Sequence, residues 1–174
     1  MQTRTIVSLI CAGALVVPTL RGQDKPVSQN DIPAPVLAAF HQSYPAARIR
    51  GTSTETEKGK TYYEIESIDG KQSRDILYIA DGTAVEIEEA MPAKSLPAAV
   101  RHAVMKEFHH AEVTKAERVT KGAALSYEIH VRRGAQHGSV VIDTTGTVLE
   151  KHALATPKKT PPRGKKDEDE EEDD

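Results

Sequence analysis

Six of the seven histidines fall in the second half of the folded stretch: His102, His109, His110, His130, His137 and His152. Neutral imidazoles bind zinc, copper or nickel. His130 and His137 flank Gly134, so a hairpin there would set them on adjacent strands. This makes an envelope metal-binding protein, using the histidines of the second half, one functional reading. No carboxylate or thiol spacing completes a ligand set around them. Surface histidines are therefore the competing explanation, and no metal ligand is assigned. Glu64 and Glu128 recur in identical Tyr-Glu-Ile triplets. Acid–base work would require an enclosed, perturbed environment for such carboxylates. Solvated strand residues explain them more simply, so no catalytic residue and no cofactor are expected. Cys11 is the only cysteine, and it lies within an N-terminal apolar run. A chain that loses this run has no disulfide, no thiolate chemistry and no cysteine-ligated zinc. It must be held by packing alone, unlike many small exported domains.

The composition narrows the partners. Twenty-three Lys and Arg against 26 Asp and Glu give a net charge of −3. That balance argues against a protein held to nucleic acid by its overall field. Aromatics at 4% leave little for a base-stacking platform. A 38% apolar share in 174 residues supports a modest core in one domain or two small ones.

Two terminal segments stand apart. Arg4 followed by Ile6–Val17 and Pro18 reads as the charged and apolar regions of a signal peptide spanning residues 1–22. The apolar run is too short for a bilayer span, which takes about 20 residues. No stable membrane insertion is expected after cleavage. At the other end, residues 156–174 carry five basic residues and then eight consecutive acids, Asp167 to Asp174. With three prolines and a like-charge run, this reads as a disordered tail.

Between them lies an internal duplication. Ile32–Met91 overlays Leu96–Ala155 at a constant offset of 64 without a gap. Pro33, Ala34, Val36 and Ala39 meet Pro97, Ala98, Val100 and Ala103; Tyr63-Glu64-Ile65 meets Tyr127-Glu128-Ile129; Gly82-Thr83 meets Gly146-Thr147. Two copies of this period mean duplicated small units rather than an open solenoid. The first holds six basic and ten acidic residues, the second eight basic and six acidic. Opposite net signs can steer the halves together.

Each copy opens with a helix. Asp31 and Ser95 are expected N-caps, with Pro33 and Pro97 in the first turn. Val36, Phe40 and Tyr44, like Val100, Val104 and Phe108, recur every four residues and mark one buried face. Four strands follow. The clearest alternates Leu125, Tyr127, Ile129 and Val131 with Ser126, Glu128, His130 and Arg132, so one side is buried and one is wet. The third strands are expected at Ile76–Ala80 and Val140–Asp143, the fourth at Thr83–Glu88 and Thr147–His152. The fold class is α+β: two tandem repeats, 32–91 and 96–155, each a helix plus a four-stranded antiparallel sheet. Units of about 60 residues are marginal alone, so the copies should pack together or share a sheet edge.

The helix with small residues, the run Lys58, Gly59, Tyr62, Tyr63, Glu64, Ile65, a turn glycine, an apolar strand and then Asp81-Gly82-Thr83 resemble the PepSY-like family with a β-lactamase-inhibitory-protein-like fold. The second copy departs at Gly122-Ala123-Ala124 and at Thr144-Thr145. The resemblance implies a periplasmic or secreted, non-enzymatic binding or inhibitory role, with an unidentified extracytoplasmic protein or peptide as partner. Such inhibitors use the wet sheet face. Parity puts Tyr62, Glu64, Glu66, Leu77 and Ile79 on that face in the first copy, and Ser126, Glu128, His130 and Val141 in the second. Leu77, Ile79 and Val141 would form an apolar patch there. In the competing picture the two copies bury these residues against each other.

Overall fold

A computed structural model describes residues 25–156. The expected signal peptide and nearly all of the expected tail lie outside the described residues. The elements are β1 (Lys25–Pro26), α1 (Ala34–Ser43), β2 (Arg48–Glu57), β3 (Lys60–Asp69), β4 (Gln72–Tyr78), β5 (Ala84–Ala90), α2 (Ala98–Glu107), β6 (Glu112–Lys121), β7 (Ala124–Arg133), β8 (Gln136–Asp143) and β9 (Val148–Ala155).

The helices start later than the sequence implies. Asp31 and Ser95 lie in short 3-10 turns, Gln29–Asp31 and Ala93–Ser95, and cap neither helix. Asp31 instead accepts the Ser28 N–H at 3.2 Å. Pro33 and Pro97 take the N-cap positions themselves. The residue before a proline is pushed out of the helical region, and Ile32, at φ −77° and ψ 133°, obeys. That extended residue separates Asp31 from the helix it was expected to cap. Val36 and Phe40 of α1 and Val100 and Val104 of α2 are buried. Each helix ends where the Tyr44 or Phe108 N–H bonds back to Phe40 or Val104.

All strands belong to one sheet in chain order, β1 to β9, every neighbouring pair antiparallel. Two separate four-stranded sheets do not form. β5 pairs with β6 from Glu86↔Lys121 to Ala90↔Glu117, which joins the copies edge to edge. Burial of one copy's wet face against the other is thereby ruled out, because both copies lie in the same layer. β5 also opens the second copy. Its pairing Glu89↔Arg118 and Ala90↔Glu117 repeats, 64 residues on, Lys25↔Thr54 and Pro26↔Ser53 of β1 with β2. The Met91 N–H donates to the Ala116 carbonyl at 2.8 Å, as Val27 does to Thr52 at 3.0 Å.

Both helices cover the same side. Ile65, Ile76 and Tyr78 pack with Val36 and Phe40 in one core. Ile129, Val131, Val140 and Ile142 pack with Val100, Val104 and Phe108 in the other. Each such aliphatic or aromatic side chain contributes about 1.5–3 kcal/mol on burial. The Asp81-Gly82 and Thr145-Gly146 turns reach these helices. Gly82 holds φ +90°, and a Cβ there would stand 2.6 Å from the Pro35 carbonyl oxygen. Glycine is required at this position both by its dihedral angle and by the approach of backbone to backbone.

Candidate functional site on the helix-free sheet face

Side chains alternate across a strand, so the residues facing away from α1 and α2 follow from the register. Glu64 stands opposite Leu77, and Leu77 opposite Glu86. Sixty-four residues on, Glu128 stands opposite Val141, and Val141 opposite Glu150. Tyr62, Glu66, Ser126 and His130 share this face with them. Leu77 and Val141 are half-buried apolar islands between carboxylates. Ile79 follows immediately after β4. β4 ends at Tyr78, and the Ile79 N–H donates to the Thr83 carbonyl at 3.0 Å within the β4–β5 turn. The third strand of this copy is thus Gln72–Tyr78, starting four residues and ending two residues before the expected Ile76–Ala80, its end set by the Asp81-Gly82 turn.

Carboxylates dominate the middle of the face. Glu86 and Glu88 of β5 are 8% exposed and Glu117 of β6 is 1% exposed, although no helix covers them. They lie on central strands, where side chains on both flanking strands close over them. Lysines of β6 supply the counter-charge. Lys121 Nζ is 2.9 Å from Glu86; Lys115 Nζ is 2.8 Å from Glu117 and 4.0 Å from Asp75. Burial pulls both ammonium groups down, but the carboxylates outweigh it and hold both above the ordinary lysine value. The contrast in net charge between the copies is therefore expressed as ion pairs across their seam. On the helix side of the same seam, Glu89 binds Arg74 at 2.8 Å and also binds Arg118. Burial pushes the Glu89 carboxyl up, while the two guanidinium groups more than reverse it and hold it below its ordinary 4.5.

The histidines do not cluster. His130 stands opposite Ser139 and His137 opposite Arg132, so the two are not a facing pair. His109 and His110 follow the C-terminus of α2 with ring centroids 6.5 Å apart. His152 contacts Glu150 at 2.9 Å. Among the described residues, His130 is the histidine that joins a multidentate group. Its Nε2 is 3.1 Å from Glu128 Oε1, and Glu117 completes a set of ligand atoms within 4.8 Å of one another. Asp75, Glu88 and Glu117 form a second set on the same terms. Glu117, Glu88 and Asp75 escape sequence reasoning because each sits on a different strand. Their one sequence signal is shared parity once the register is known. Glu64 and Glu128 lie on β3 and β7, four strand spacings or about 19 Å apart, so they are no catalytic pair.

An α+β doubled unit with a continuous sheet, both helices on one side and a charged, helix-free face on the other is an open-faced scaffold. The family model described as "Putative beta-lactamase-inhibitor-like, PepSY-like" matches residues 19–73 and 61–150, and the chain belongs to that PepSY-like family. Solved structures share the fold. A "putative periplasmic" protein from Bacteroides eggerthii is 21% identical, with a TM-score of 0.59 over 69% of this chain and 87% of that one. A BLIP-like protein from Bacteroides fragilis is 17% identical, with a TM-score of 0.54 over 72% of this chain and 89% of that one. At such identities the likeness concerns the fold alone. No curated protein matches the chain. Among the described residues, no helix is long and apolar enough to cross a membrane.

Proposed function

We propose that this chain is an exported, non-catalytic binding protein of the periplasm or extracellular space, which recognises a protein or peptide on its helix-free sheet face. The observation that carries the reading is that edge-to-edge joining leaves this face open across both copies, with Leu77 and Val141 half-buried among carboxylates. Apolar islands inside a charged field are a common form of recognition surface: the islands supply burial, the charges supply register and steering. The carboxylate surplus favours a partner segment with basic residues. Export is supported by the N-terminal Arg4 and apolar run, and by the periplasmic description of a fold relative. The basic-then-acidic C-terminal segment acts as a solubilising tail.

The test is comparative capture from periplasmic and secreted extracts. The wild-type chain should retain a partner that Leu77→Asp and Val141→Asp both lose. Met105→Asp, at a 63% exposed position on the helix side, should leave capture unchanged. Equal capture by all four proteins, or none by the wild type, overturns the reading.

A further inference from the structure

The seam between the copies also has the makings of a metal centre. Glu117 and Glu128 are register partners on β6 and β7, and His130 lies opposite Lys115 on the same face. We propose that Glu117, Glu128 and His130 bind a divalent first-row metal ion of the zinc class, with Asp75 and Glu88 adding negative charge on its β4–β5 side.

Three observations carry this. First, the Glu117 side chain is 2% exposed. Its Oε2 is sealed from solvent and receives no hydrogen bond. The Lys115 ammonium stands 2.8 Å away as an ion pair that lacks hydrogen-bond alignment. A sealed carboxylate costs several kcal/mol unless good geometry compensates it, and a metal ion at the centre of the three groups would supply that compensation. Second, the donors match the ion. Carboxylates accept hard divalent cations, and imidazole favours zinc and its neighbours. Zinc–oxygen and zinc–nitrogen distances of about 2.0–2.2 Å put tetrahedral ligand atoms about 3.4 Å apart. The three donors already fall within 4.8 Å of one another, on two paired strands. Third, Lys115 is a removable cation. Its side chain is 45% exposed on a flexible stem, so it can swing into water as the ion enters.

The equivalent place in the first copy has diverged. Ser53, Glu64 and Glu66 occupy it, and the Ser53 hydroxyl donates to Glu64 at 2.6 Å. That copy offers neither the imidazole nor the sealed carboxylate. The site is therefore not the cluster of second-copy histidines that the sequence suggested, since His130 is its only imidazole.

Zinc chloride titrated calorimetrically into the tag-free full chain tests the proposal. The wild type should bind an ion at this site at micromolar protein. Glu117→Gln and His130→Ala should each weaken binding at least tenfold. Lys115→Gln should strengthen it severalfold, because the competing ammonium is gone. His109→Ala and His137→Ala should bind as the wild type does. Absence of heat in the wild type, or wild-type affinity in both Glu117→Gln and His130→Ala, overturns the site; the latter assigns the zinc to the acidic C-terminal run or to surface histidines. Should Glu117→Gln lose its folded circular-dichroism spectrum, His130→Ala decides alone, because that imidazole is 39% exposed and outside both cores. Failure here leaves the face reading intact, since capture and zinc binding are read separately.

Discussion

The two copies share a backbone and differ in what their closing strands must do. β5 closes the first copy and opens the second; β9 closes the second and, among the described residues, meets no further strand. At the equivalent inward position β5 carries Ile87, packed against the first core, whereas β9 carries Lys151. The Lys151 ammonium lies 5.2 Å from the Phe108 ring centroid and 2.7 Å from Glu107. A charged side chain pointing inward on an edge strand discourages pairing with another chain. The same position is thus apolar where the sheet continues and cationic where it stops. The copies contrast on the open face too. Ser53 satisfies Glu64 in the first, while Glu117 confronts Glu128 in the second. On the packing side Tyr63/Tyr127 and Ile65/Ile129 are shared while Ile87 has Lys151 as its counterpart; on the open face Glu64/Glu128 and Glu86/Glu150 are shared while Ser53 has Glu117 and Glu66 has His130 as theirs.

The largest effects should come from truncating either core. Phe40→Ala in the first copy and Ile129→Ala in the second each remove a fully buried side chain and should cost about 3–5 and about 2–5 kcal/mol respectively. Chemical denaturation should show one shifted transition in both cases, because β5 belongs to both copies. Two separate transitions would mean that the copies unfold independently. The next contrast is between the turn glycines. Gly82→Ala meets the Pro35 carbonyl oxygen at 2.6 Å, Gly146→Ala meets that of Ala99 at 3.0 Å, and both hold φ above +90° or at it. The first should cost on the order of 2–4 kcal/mol and the second about 1–2, and equal losses in thermal unfolding would break the comparison.

Lys151→Ile makes β9 resemble β5. It should change stability by less than about 1 kcal/mol yet shift the protein towards dimers or aggregates in light scattering. A variant as monodisperse as the wild type would show that Lys151 does not guard the edge. The smallest effect concerns the helix side of the seam. Glu89 ionises more readily folded than unfolded, so its contribution is fully present above the ordinary glutamate value of 4.5 and fades as the pH falls through the lower folded value. Glu89→Gln should therefore flatten the acid limb of the stability profile and leave the alkaline limb alone. An unchanged acid limb would remove the Arg74–Glu89–Arg118 cluster from the account.

Much of the fold was legible because the period of 64 aligned helix stripes, turns and alternating strands without a gap. Ile65, Tyr127 and Ile129 announced their burial, and Tyr63 its partial burial, by strict alternation. The first strand of each copy was poorly legible for a definite reason. Ladder irregularities between Ile49 and Gly51 and between Val113 and Lys115 insert an extra residue. Ile49 and Val113 therefore face the cores three residues before Thr52 and Ala116 do, which destroys the period-two pattern. β1 was invisible because two residues, Lys25 and Pro26, pair through backbone alone. The joining of the copies depends on β5–β6 pairing, which composition does not encode. Parity puts Tyr62, Glu64, Glu66, Leu77, Glu128, His130 and Val141 on the face that the register gives them, while Ile79 falls one residue past the end of its strand. The Glu117 cluster required knowing which residues of four strands stand side by side.

The central claim is that recognition belongs to the helix-free face. Carboxyl footprinting of the wild-type chain, alone and bound to the captured partner, tests it most directly. Protection should concentrate on Glu64, Glu66, Glu128 and Glu150 of the open face and spare Glu107 of α2 on the helix side. Protection of Glu107 with the open-face carboxylates still reactive would contradict the claim.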